Sequence, residues 1–68
     1  MTFRVEFERE DDGRWIAEVA DLPGVLAYGG TRDEAQARVQ ALALRVVAER
    51  LEHGEAGPAL LDISFRAA

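Results

Sequence analysis

From Thr31 to Glu52 the chain runs for twenty-two residues without a glycine or a proline, and that stretch decides most of what a 68-residue chain can build. Thr31 is a good N-cap, and Glu34 three residues later completes an S/T-x-x-E capping box. Asp33 and Glu34 suit the positive end of a helix dipole, alanine is plentiful, and His53-Gly54 supplies a stop. The spacing therefore predicts one helix from Thr31 to about Glu52, and this helix is apolar on two sides. At 100° per residue, Ala35, Val39, Leu42 and Val46 form one stripe, while Leu44, Val47 and Leu51, with Ala37 and Ala48 beside them, lie roughly opposite. One sheet covers one stripe. A chain this short buries only about 60% of its unfolded surface, so a partner is a natural second cover. The expectation is a homodimer or higher homo-oligomer through Leu44, Val47 and Leu51, the alternative being that the loop or last strand folds over them.

The rest of the chain alternates with period two. Residues 2–9 place Phe3, Val5 and Phe7 on one side and Arg4, Glu6 and Glu8 on the other. Glu10-Asp11-Asp12-Gly13 is a turn signal. Residues 14–20 follow as a second strand, with Trp15, Ala17 and Val19 opposed to Arg14, Ile16 and Glu18. In Asp21-Leu22-Pro23-Gly24, Pro23 and Gly24 fit the two central positions of a type II turn. A short third strand, 25–28, ends at Gly29-Gly30, and 59–66 alternate again, with Leu61, Ile63 and Phe65 on one side. The order β-β-β-α-β predicts a single α+β domain over 1–68: an antiparallel three-stranded meander plus a fourth strand, with one helix packed on the sheet. Directly opposed residues of an antiparallel pair share a face, so uniting the two apolar sides requires an odd-numbered hairpin loop. Asp11-Asp12-Gly13 with a left-handed Gly13 sets Val5 opposite Val19, Phe7 opposite Ala17 and Glu6 opposite Glu18. A five-residue loop would oppose Glu8 and Glu18 instead. In either register two glutamates meet on the outer face.

Chemistry is sparse. Cysteine is absent and histidine occurs once, which excludes disulfides, thiolate sites and multi-histidine metal centres. The phosphate-binding loop, the H-E-x-x-H pair and the dinucleotide fingerprint are all missing. Ser64 and His53 have no triad-like spacing, and Glu8, Glu18 and Asp62 offer only a weak case for a divalent ion against that of a solvated polar face. We expect no catalytic residues, no metal and no cofactor. Eight basic residues against thirteen acidic ones give a net charge of −5, which disfavours nucleic-acid phosphates and suits a basic partner. Candidate partner-binding residues are Glu6, Glu8 and Glu18 on the outer hairpin face, with Asp11 and Asp12 extending the same field at its tip. The N-terminus lacks a basic flank and an apolar leader, and no apolar run approaches about 18 residues. A cytoplasmic protein without membrane contact is expected.

The string Asp12-Gly13-Arg14-Trp15-Ile16-Ala17-Glu18-Val19, then Asp21-Leu22-Pro23-Gly24-Val25, then Gly29-Gly30-Thr31-Arg32-Asp33-Glu34-Ala35 resembles the HicB-like antitoxin family over about residues 2–52. Ala20 stands where that family usually has proline, and Asp33 where it often has glutamate. The resemblance implies a partial ribonuclease-H-like fold without nuclease chemistry. It also implies a partner: a small, basic, double-stranded-RNA-binding-like toxin of the HicA type, which cleaves mRNA with a histidine. Many members add a C-terminal helix-turn-helix or ribbon-helix-helix domain. This sequence ends at Ala68, just past the last predicted strand, so no direct DNA binding is expected. The alternatives are a solitary small homo-oligomeric binding or scaffold module and a divergent metal-dependent nuclease that reuses the same sheet.

Overall fold

The computed structural model describes residues 1–55 and 62–67. Its elements run β1 (Thr2–Arg9), β2 (Trp15–Val19), β3 (Leu26–Gly29), α1 (Arg32–Glu52) and β4 (Ser64–Ala67). They form one mixed sheet in the order β3-β2-β1-β4, antiparallel throughout except that β4 runs parallel to β1. This is the α+β architecture expected from the alternating segments and the single helix. The expected fourth strand began at residue 59, and residues 59–61, with Leu61, lie outside the described residues.

The hairpin has the register that odd-loop reasoning requires: Val5 pairs with Val19, Glu6 with Glu18 and Phe7 with Ala17. Glu10 N–H donates to the Arg14 carbonyl at 2.7 Å and Gly13 N–H to the Glu10 carbonyl at 2.9 Å, leaving residues 11–13 as the loop. Gly13 sits at φ +90°, where a side chain would be strained. At the next corner, Val25 N–H closes on the Leu22 carbonyl at 3.1 Å with Gly24 at φ +82°, the signature of the type II turn. Leu22 and Val25 on either side of it are buried. Asp21 reaches back to the first strand, where its carboxylate accepts Arg4 N–H at 2.9 Å, while Arg4 C=O takes Ala20 N–H at 3.2 Å. The Asp-Leu-Pro-Gly segment thus ties the turn to β1 and plugs one end of the core.

The helix packs on β2 and β3. Its buried line is Ala35, Val39, Ala43 and Val47, with Leu42 and Val46 half-buried beside it. This corrects the placement of Val47 with the outward leucines: it is 5% exposed and part of the core. The physical reason is the small size of Ala35 and Ala43, which lets the helix close along an i, i+4 ridge. Such a ridge winds about 40° around the axis per step and carries Val47 inward. Leu44 and Leu51 remain outside, 46% and 40% exposed.

Both helix ends are closed by their sequence. Thr31 Oγ1 accepts Glu34 N–H at 3.1 Å, while the Glu34 carboxylate accepts Gly30 N–H at 3.3 Å, one residue before the N-cap position that the capping box would use. At the other end Gly54 (φ +70°) donates to the Leu51 carbonyl and Glu55 to the Arg50 carbonyl, the paired bonds of a Schellman motif. Where the inner sheet face runs beyond the helix it is finished by arginines, Arg32 over the Phe7 ring at 4.0 Å and Arg9 over Trp15 at 5.9 Å. Phe3 and Phe65 pack across β1 and β4 with ring centroids 5.7 Å apart.

Candidate functional site: the open face of the sheet

No described element packs on the sheet face opposite the helix. Two registers decide what that face carries. Pairing of β1 with β2 sets Glu6 beside Glu18 and Glu8 beside Ile16, while pairing of β2 with β3 sets Glu18 beside Leu26 and Ile16 beside Tyr28. Read across the sheet, one row is Leu26, Glu18, Glu6 and the next is Tyr28, Ile16, Glu8. Leu26 is 37% and Tyr28 39% exposed, and all three glutamates are exposed. Toward β4 the face turns basic and polar, with Arg4 beside Arg66 and Thr2 beside Ser64, whose hydroxyls are 3.0 Å apart. An apolar strip on the β2–β3 side therefore borders an acidic strip on β1 and β2.

The structure brings Glu6, Glu8 and Glu18 together as expected, but it separates the two aspartates at the hairpin tip. Asp11 is exposed. Asp12 is engaged within the chain: Oδ1 accepts Arg14 N–H at 3.0 Å and Oδ2 accepts Arg14 Nε–H at 2.8 Å. The backbone hydrogen bond first, then the bond to the guanidinium and its charge, hold the Asp12 carboxyl below its ordinary range. The same guanidinium lies over the Tyr28 ring at 4.8 Å, so Arg14 links the tip to β3. Asp12 thus braces the hairpin, with its charge compensated locally. Because folding depresses this group, its contribution is present above the unfolded carboxylate range and lost as pH falls through the folded value. Asp12→Asn is therefore expected to cost stability at pH 7. The gap from wild type should close as pH falls below about 4, as read by urea unfolding at a series of pH values.

Leu26 and Tyr28 are site residues that alternation alone does not single out, whereas Ile16 shares the face of Glu18 by alternation. The signal lies in the turn: once Gly24 fixes the corner, the β2–β3 pairing puts Leu26 and Tyr28 on the face of Glu18 and Ile16. The Ser64 hydroxyl lies 3.0 Å from that of Thr2, and His53 serves as the helix C-cap, its backbone N–H donating to the Glu49 carbonyl at 3.0 Å. Among the described residues no cleft or cavity forms, and no three histidine, cysteine, aspartate or glutamate side chains gather as metal ligands. No described helix is long and apolar enough to cross a membrane. Fold and face together define a small α+β domain, one helix on one side of a four-stranded mixed sheet and an acidic–apolar surface on the other. No family model matches the chain, and neither a curated protein nor a solved structure matches it.

Proposed function

We propose that the chain is an antitoxin-like binding module of the HicB type, on a partial ribonuclease-H-like scaffold, that neutralises a small basic mRNA-cleaving toxin by occluding it. The observation that carries this reading is the opposed Glu6–Glu18 pair on an uncovered sheet face, bordered by exposed Leu26 and Tyr28. Opposed like charges cost the free protein a few tenths to about 1 kcal/mol. A partner that brings arginine or lysine removes that cost and gains charge-assisted hydrogen bonds, while the Leu26–Ile16–Tyr28 strip provides apolar contact beside them. The net charge of −5 steers a basic protein toward the chain. In this reading the chain acts by covering its partner and performs no chemistry itself.

The test is affinity capture from the source cell at low ionic strength. Recovery of a small basic protein that cleaves RNA when freed, and that leaves the chain in high salt, supports the proposal. Recovery of no basic partner at low salt from cells known to express the chain overturns it.

A further inference from the structure

The helix face turned away from the sheet carries Ala37, Ala41, Leu44, Ala48 and Leu51, all exposed. Their spacing is 4-3-4-3, the interval of a helix–helix seam, so these side chains line up along the axis instead of winding around it. The sequence is also nearly palindromic about Leu44. Set antiparallel against a second copy, Leu44 meets Leu44, Ala37 meets Leu51 and Ala41 meets Ala48. Every leucine faces either its own copy or an alanine small enough to admit it, and the alanine layers allow the two backbones close approach.

Charge supports the same occupant and orientation. On one flank of the seam the exposed charged residues are the ion-paired Glu34 and Arg38 near the N-terminal end, Arg45 at the middle and Glu52 at the C-terminal end. Antiparallel pairing brings Glu52 of each copy level with the Arg38–Glu34 ion pair of the other (2.8 Å), where it would share a guanidinium that already donates to the Tyr28 carbonyl at 2.9 Å, and it leaves Arg45 beside its own copy near the two-fold axis. A parallel pair would set each of these residues level with itself and would align the helix dipoles unfavourably. We infer that this face is a self-association surface, in which two copies of the chain pair antiparallel through Ala37, Ala41, Leu44, Ala48 and Leu51, with both open sheet faces left outward.

The inference concerns the protein alone and stands apart from the toxin-binding proposal. Sedimentation of the purified chain should show a concentration-dependent monomer–dimer equilibrium. Leu44→Glu should raise the dissociation constant by at least ~30-fold with an unchanged far-ultraviolet circular dichroism spectrum, because Leu44 is exposed in the monomer. Since the chain has no cysteine, single introduced thiols report orientation. Leu44→Cys should oxidise to a covalent dimer. Ala37→Cys alone should not, since residues 37 and 51 lie about 21 Å apart along the helix, but mixing it with Leu51→Cys should give the mixed disulfide. A wild-type chain that remains monomeric at ~1 mM overturns the inference, and so does Ala37→Cys self-linking faster than Leu44→Cys.

Discussion

Gly29→Ala should destabilise this fold by about 2–3 kcal/mol, a large effect for a single added methyl group. Gly29 is buried at the end of β3, where the first turn of the helix crosses it. A Cβ there would lie 2.4 Å from the Ala35 nitrogen and 2.9 Å from the Ala35 Cα, both backbone atoms that cannot rotate away. Relief requires the helix start to lift off β3. Three interactions are lost or strained in that movement: the Thr31 cap, the Gly30–Glu34 hydrogen bond and the bond from Arg38 Nη1 to the Tyr28 carbonyl. A 68-residue domain has a total stability of only about 3–10 kcal/mol, so the loss is a large part of the whole. Gly30→Ala is the control. Its Cβ would meet open space, and its backbone is not left-handed. Urea unfolding should leave Gly30→Ala within about 0.5 kcal/mol of wild type while Gly29→Ala falls well below it. Equal behaviour of the two variants would contradict the close approach.

The second large effect falls on binding and has opposite signs in the free and bound states. Glu18→Arg turns the opposed Glu6–Glu18 pair into an attractive one, so the isolated domain should hold its stability or gain a few tenths of a kcal/mol. The same change reverses a charge at the centre of the acidic strip. Association with the proposed basic toxin should slow by ~10-fold or more at low salt, with the difference shrinking as salt is added. Leu26→Ala, next to it on β3, should leave association almost unchanged and speed dissociation, because it removes contact area and no charge. Stopped-flow binding at two ionic strengths separates the two effects. Loss of stability in Glu18→Arg would mean that the glutamate pair has a structural partner unaccounted for.

The sequence carries the architecture because its local signals agree with one another. The odd hairpin loop, the Pro23-Gly24 corner and the Thr31 cap each specify a backbone geometry, and all three are compatible with a single apolar face. The string Asp21-Leu22-Pro23-Gly24-Val25 is largely accounted for by folding. Asp21 satisfies a β1 amide, Leu22 and Val25 enter the core, and Gly24 takes a left-handed turn. Which helix residues turn inward is less legible. Periodicity alone ranks Leu42 and Val46 with the core and Val47 with the outside, whereas packing selects Ala43 and Val47. The difference is steric: alanines permit close approach, and that choice appears only when helix and sheet are brought together. The Gly29 contact is of the same kind, since a glycine at a strand end reads as a breaker until the helix is placed above it. On the open face the three glutamates are legible from alternation. Of the apolar strip beside them only Ile16 is, because Leu26 and Tyr28 depend on the pairing of a third strand only four residues long.

The central claim is that this face neutralises a basic RNA-cleaving toxin, and the most direct test is cleavage itself. The cognate toxin, mixed with an RNA substrate and titrated with the chain, should lose activity in proportion to added protein and reach full inhibition near stoichiometric addition. The Glu18→Arg chain should require a clear excess to do the same at low salt. Full cleavage in the presence of excess folded wild-type chain would contradict the account.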